Sequence, residues 1–169
     1  GQLTKGKAMD FIVQKASELG AYRVVPVLSE RSVPDWDDAK TAAKVQKWRS
    51  ICIESIKQCG SAWLPRLELP MTPKAALDDA RQSDLSLIAT LQPDAKHPRE
   101  QIDAHAAEYG QAPEKLAIWV GPEGDYTPAE INTIRTTAQP ISLGPLVLRS
   151  ETAAIYCLAV LNYELQARQ

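Results

Sequence analysis

The sequence holds only three cysteines and two histidines in 169 residues. Cys52 and Cys59 stand seven apart on one helical stretch, ~10.5 Å along its axis and beyond the ~7 Å Cα separation that a disulfide can bridge. An odd set of unbridged thiols suits a reducing compartment, so a cytoplasmic protein is expected. Neither histidine, His97 or His105, has a cysteine nearby, and no metal site is expected. No run approaches the ~20 apolar residues of a membrane span, and no basic segment with an apolar stretch opens the chain, so neither a membrane nor a secretory role is expected. The eight glycines form neither GxGxxG nor GxxxxGK[ST], which removes the main support for dinucleotide-binding and P-loop readings. Repeats and low-complexity tracts are absent as well.

What is present is an ordinary globular mixture, 44% hydrophobic and 24% charged, long enough to bury one core without cross-links. The expected organisation is one domain over residues 1–169. The net charge of −2 conceals an asymmetry: residues 1–66 carry 11 basic and 7 acidic groups, and residues 67–169 carry 8 and 14. If the partner is nucleic acid, this chain supplies only part of the contact surface.

Ala8, Phe11, Ile12, Ala16 and Leu19 mark one helical face ahead of Gly20, predicting a helix from about Lys7 to Leu19. Tyr22 to Leu28 reads as a strand covered on both faces. Val45, Trp48, Cys52, Ile56 and Cys59 predict a second helix, from near Asp38 to Gly60, with Trp48, Cys52 and Cys59 packed inward. Shorter units then alternate: strands at 66–69, 84–91, 116–121 and 141–144, and helices after Pro73, through Ile102 and Ala106, and after Thr127. Thr127-Pro-Ala-Glu130 is a capping box with Pro at the first helical position. The closing helix is expected from Ser150 to about Arg168. Gly1 to Thr4, with no initiator Met, looks like the tail of a strand, so a fragment or single-domain piece is expected.

This βαβα order predicts an α/β fold, a mostly parallel sheet with helices on both faces and ligands at the carboxyl ends of the strands. The loops to watch are Gln92-Pro93-Asp94, Gly121-Pro122-Glu123-Gly124-Asp125, and Gly144-Pro145 with Leu146 to Thr152. Glycines after strands let backbone approach a ligand, although they also simply make turns. Arg149, Ser150, Glu151 and Thr152 gather where a strand loop feeds a helix, which suits anion or base recognition; a capping Ser150, with Glu151 against the helix dipole and Arg149 in solvent, would look the same.

Five blocks, taken together, resemble the family of small-subunit ribosomal RNA uridine-N3 methyltransferases in the SPOUT class. They are Lys7-Ala-Met-Asp-Phe-Ile-Val-Gln-Lys-Ala-Ser-Glu-Leu-Gly20, Ser29-Glu-Arg-Ser32, Lys57-Gln-Cys-Gly60 with Pro65, Val120-Gly-Pro-Glu-Gly124, and Leu143-Gly-Pro145 with Leu148-Arg-Ser-Glu-Thr-Ala153. The resemblance implies a deep trefoil knot in the C-terminal part, an exception to the usual absence of knots. It also implies a homodimer and an N-terminal RNA-binding β-barrel domain outside this chain. The implied cofactor is S-adenosyl-L-methionine, held by Thr90, Leu91, Gln92, Pro93, Gly121, Pro122, Glu123, Gly124, Leu143, Gly144, Leu146 and Leu148. Arg31, Lys57, Gln58 and Arg149 are the expected contacts to ribosomal RNA, a surface ion pair being the plainer use of Arg31.

N3 of uridine is a weak acid, so the implied reaction needs an anionic uracil, with Arg149 to stabilise it and either Glu151 or a water to take the proton. The target base must be unpaired or flipped out. Lys57, Ser61 and Leu146 depart from the commoner family pattern near the expected substrate pocket. They motivate an alternative, a weak or inactive SPOUT domain that binds RNA and dimerises; a flavodoxin-like module is a second alternative. Trp36 and Trp63 read first as packing and second as base-stacking platforms. Glu18 reads as a surface charge. Ala154, Leu158 and Leu161 offer an apolar face on the closing helix for a second copy.

Overall fold

The structure is a computed structural model that describes residues 8–31, 37–122 and 124–166. In chain order the elements are α1 (Ala8–Glu18), β1 (Arg23–Val24), α2 (Asp38–Cys59), β2 (Arg66–Leu67), α3 (Pro73–Ala80), β3 (Leu85–Ala89), α4 (Pro98–Tyr109), β4 (Leu116–Trp119), α5 (Pro128–Ile134), β5 (Ala138–Ile141) and α6 (Ser150–Gln166). The strand tail expected at Gly1 to Thr4, and Trp36, lie outside the described residues.

Every strand pairing is parallel, and β3 is the middle of a β4-β3-β5 sheet. Leu87 stands opposite Ile118 on one side and Gln139 on the other. Successive side chains on a strand point to opposite faces, and the sequence exploits this alternation. Leu85, Leu87, Leu116, Ile118, Val120 and Ile141 join one core with Ile12 and Val13 of α1, Trp48 and Cys52 of α2, Ile102 of α4, and Ala154, Cys157 and Leu161 of α6. Ile88, Trp119 and Ala138 face the other way, against Ala76 and Leu77 of α3, Ile131 and Ile134 of α5, and Tyr126. Helices therefore cover both faces, as the alternation of elements predicts. Ser86 is buried on the second face and accepts the indole N–H of Trp119 at 3.0 Å, which satisfies both polar groups.

A smaller sheet pairs β1 with β2, extended by a bridge between Val27 and Met71. The strand expected over Tyr22 to Leu28 is thus confined to two residues. Pro26 lies in its middle and has no N–H to give a ladder, so only its carbonyl is used, accepting from Met71 N at 3.0 Å. The last strand also differs from expectation: pairing covers 138–141 rather than 141–144.

The end of β5 is held from both sides. Thr90 N donates to Ile141 O at 3.0 Å, while Lys96 N donates to Pro140 O at 3.2 Å and Ser142 N donates to Lys96 O at 2.8 Å. β3 and its continuation lie on one flank of this chain, and Lys96 lies on the other. The 91–95 segment that joins them must cross the emerging chain, which is the local geometry of a threaded loop.

Helix ends follow their sequence signals. Asp37 Oδ1 accepts Lys40 N at 2.7 Å to start α2, and Gly60, in the left-handed region at φ 73°, ends it. His97 caps α4 through its ring nitrogen, reciprocated by Glu100. His105 stacks on Tyr109 with ring centroids 4.6 Å apart. Among the described residues no helix is long and apolar enough to cross a membrane. Glu18 pairs with Lys15 at 2.7 Å.

Two inward assignments change. Cys59 is exposed, whereas Trp48 and Cys52 are buried as expected. Ala154 and Leu161 are buried in this chain's own core, with Leu158 packed against it, so they offer no face to a second copy. The large hydrophobic side chains of α6 that do stand out are Tyr156 and Tyr163.

Burial raises the Cys52 thiol pKa and pushes Cys157 up to about 12, since desolvation penalises the thiolate. At pH 8 a chromogenic disulfide reagent should therefore titrate one thiol per folded chain, Cys59, and all three only after denaturation. Rapid reaction of three thiols in the folded protein would contradict this packing.

Candidate active-site cleft

The carboxyl ends of β3, β4 and β5 open onto a cleft of about 120 Å³. It is walled by Ala89, Thr90 and Leu91 after β3, by Val120, Gly121, Pro122 and Asp125 after β4, and by the segment from Leu143 to Ser150 after β5, with Ala153 of α6 behind. Eight of the expected cofactor residues thereby meet: Thr90, Leu91, Gly121, Pro122, Leu143, Gly144, Leu146 and Leu148. Gln92 and Pro93 are exposed beyond the rim and do not line it. Gly124 also lies off the wall, and Glu123 is outside the described residues.

Two glycines are needed here for different reasons. At Gly121 a Cβ would sit 2.6 Å from Asp125 Oδ1, so the position is closed by the chain's own carboxylate. Gly144 has open space around it but a φ of 105°, which side chains rarely adopt. Its N–H donates to Ser142 Oγ at 3.2 Å, fixing the bend that turns the chain back over the cleft.

Asp125 is the one charged side chain among the described lining residues, and the expected site did not include it. Its φ is 57°, the only positive value for a non-glycine among the described residues. Aspartate tolerates that region because its short carboxylate bonds locally; here Oδ1 accepts Tyr126 N at 2.8 Å. The sequence signal was its place at the end of the Gly121 to Asp125 loop, without a motif to mark it.

The loop after β4 is anchored by a buried carboxylate. Glu130 Oε2 accepts Thr127 N at 2.8 Å, completing the predicted capping box, and Oε1 accepts Glu30 N at 2.9 Å from the far side of the chain. Tyr126 is buried beneath, its hydroxyl 3.4 Å from Val120 O.

Arg149 lies between two lining residues, Leu148 and Ser150, and is exposed. Its carbonyl accepts Ala153 N at 2.8 Å, so Arg149 rather than Ser150 occupies the capping position of α6. Ser150 is buried as the first helical residue and donates to Glu151 Oε2 at 3.3 Å. Lys57 and Gln58 fall on the exposed last turn of α2, where Lys57 pairs with Glu54 at 2.8 Å, and neither lines the cleft. Arg31 is not in the cleft either: its guanidinium donates to Gly124 O, on the outer side of the loop. Trp63 is half-exposed at 51%, beside Gly20.

Residues 2–162 match the family described as the RNA methyltransferase domain. Ribosomal RNA small subunit methyltransferase E of Bacillus subtilis is 32% identical over 167 residues, which are 96% of this chain and 63% of that protein. A methyltransferase from Legionella pneumophila, solved with bound SAM, superposes with a TM-score of 0.86 at 34% identity, covering 96% of this chain and 64% of the other. Ribosomal RNA small subunit methyltransferase E from Neisseria gonorrhoeae, solved with S-adenosyl methionine, gives 0.80 at 26% identity with the same coverage. The chain thus spans slightly less than two thirds of the length of these relatives. A match over nearly all of its residues, joined to strand loops that converge on one cleft, establishes that the chain belongs to the RNA methyltransferase domain family.

Proposed function

We propose that this chain is the catalytic domain of an S-adenosylmethionine-dependent methyltransferase that modifies N3 of a uridine in small-subunit ribosomal RNA. The observation that carries the reading is the cleft, where three loops far apart in sequence meet at the strand ends. Its chemistry fits the cofactor. Leu91, Leu143, Leu146 and Leu148 supply apolar surface for an adenine ring, backbone at Gly121 and Gly144 is accessible for its polar edge, and Asp125 adds a negative charge beside a cationic donor.

When bound, S-adenosylmethionine supplies a methyl group made electrophilic by the sulfonium. The chain's residues then have three tasks. The cleft walls hold donor and acceptor at attack distance, which converts an encounter into an oriented displacement. Arg149, exposed at the rim, stabilises the uracil charge as the N3 proton leaves. Glu151, or a water, receives that proton, which would leave N3 as the nucleophile toward the methyl group that the bound cofactor would supply. The names of the similar bacterial proteins support ribosomal RNA as acceptor.

A homodimer belongs to the same proposal. Leu146 and Val147, 71% and 80% exposed, stand at the mouth of the cleft. Apolar side chains so exposed are best covered by a second copy, which would also deepen the cleft. Light scattering at micromolar concentration should give twice the chain mass; a monomer at all concentrations would remove the dimer.

Arg149→Ala should lower single-turnover methylation of small-subunit RNA about 10²- to 10³-fold, the usual cost of losing a stabiliser of developing charge. Affinity for S-adenosylhomocysteine should stay within a few fold. An unchanged rate would take Arg149 out of the site. Asp125→Asn keeps the size and tolerates the backbone conformation, so it isolates charge. Calorimetry should show weaker binding of S-adenosylmethionine, by about threefold to fivefold on the scale of a partly screened ion pair, with much less change for the uncharged thioether product. Equal losses for both would mean that Asp125 acts by shape alone.

A further inference from the structure

Arg31, from the first part of the chain, reaches the loop after β4, while the N–H of its neighbour Glu30 donates to Glu130 Oε1 in α5, just beyond that loop. The guanidinium of Arg31 donates to Gly124 O, and its side-chain carbons come within 3.6 and 3.7 Å of the Cβ position at Gly124. The N–H of the same peptide unit, on Asp125, donates to Pro122 O at 2.9 Å. The plane of the 124–125 peptide is therefore fixed at both ends, by a cation outside and by the turn inside. That plane sets the φ of Asp125, and the left-handed conformation there places the carboxylate over Gly121 at the cleft wall.

From this geometry we infer that Arg31 is a positioning residue of the donor cleft, acting through the 124–125 peptide on Asp125, rather than a contact to RNA. The inference rests on the methyltransferase reading for its ligand but not for its geometry. A charged hydrogen bond to a carbonyl is among the stronger single contacts available at a surface. It joins positions 93 residues apart, so nothing in the loop's own sequence replaces it. The exposed edge of Gly124 otherwise faces water, where the peptide is free to turn and carry Asp125 away from Gly121.

The experiment is a double-mutant cycle on Arg31→Ala and Asp125→Asn, read by calorimetry with S-adenosylmethionine. Arg31→Ala alone should weaken binding by about threefold to fivefold, no more than Asp125→Asn itself, because it acts through that carboxylate. In the Asp125→Asn background the same change should cost less than about twofold, because residues that act through one another are not additive. Arg31→Lys, which keeps a donor, should recover part of the loss. Binding of a small-subunit RNA fragment should change little.

Additive losses, or a drop in RNA affinity with donor affinity intact, would overturn the inference. Hydrogen exchange tests the clasp without any ligand: the peptide spanning 121–127 should exchange faster in Arg31→Ala, and unchanged exchange would overturn it. A wild-type chain that binds neither donor nor product would instead defeat the methyltransferase reading, leaving the exchange result to decide the clasp.

Discussion

The backbone hydrogen bonds around Ile141 are the constraint on which the cleft depends. Thr90, Ile141 and Lys96 are tied together within three bonds, and Gln101 adds a side-chain donor to Pro140 O at 3.1 Å. A strand end in an open parallel sheet normally leaves the following loop to find its own path. Here the loop after β3 is brought across the chain that leaves β5, and both are held beside the loop after β4. Three segments from distant parts of the sequence acquire fixed relative positions before any ligand enters, which is the preorganisation that a site for an oriented displacement needs.

Behind the cleft, two cores on opposite faces of β3 keep the sheet from tilting. Leu87 is fully buried on one side and Ile88 on the other, so neither face of the central strand meets solvent. The buried ends of charged pairs add direction. Glu164 of α6 is 8% exposed and takes a bidentate grip from Arg99 of α4, which raises the Arg99 pKa through that hydrogen bond and the adjoining charge. Arg23 joins the edge of the smaller sheet to Glu68 at 2.8 Å and to Asp79 of α3.

Much of this was legible in the sequence, for identifiable reasons. Helix α2 carried its closing signal, Gly60, and the capping box at Thr127 was a local pattern that tertiary structure left intact. The loops lining the cleft were recoverable because parallel strands put their ligand-binding turns at one end. Other features escaped, and several have a clear reason. The pairing of 138–141 was hidden by Gln139 and Pro140, which look unlike a strand but sit at an edge where one face and one N–H are dispensable. The inward packing of Ala154, Leu158 and Leu161 could not be distinguished by periodicity from a face turned to a partner. Asp125 and Arg31 owe their positions to a backbone conformation and to a contact across 93 residues, and neither leaves a mark in local sequence.

The arch from Thr90 to Lys96 imposes an order on folding. Lys96 cannot close on Ser142 until residues beyond 142 lie on the correct side of the arch, so the whole of α6 must either pass through or be encircled first. Contacts of such wide sequence separation form late and slowly. Once formed, the crossing is not undone by opening the hydrogen bonds at Lys96 alone, because the chain beyond Ser142 must also be withdrawn past the 91–95 segment. Resistance to unfolding from the C-terminal side is thereby a property of chain path, added to whatever the two cores supply.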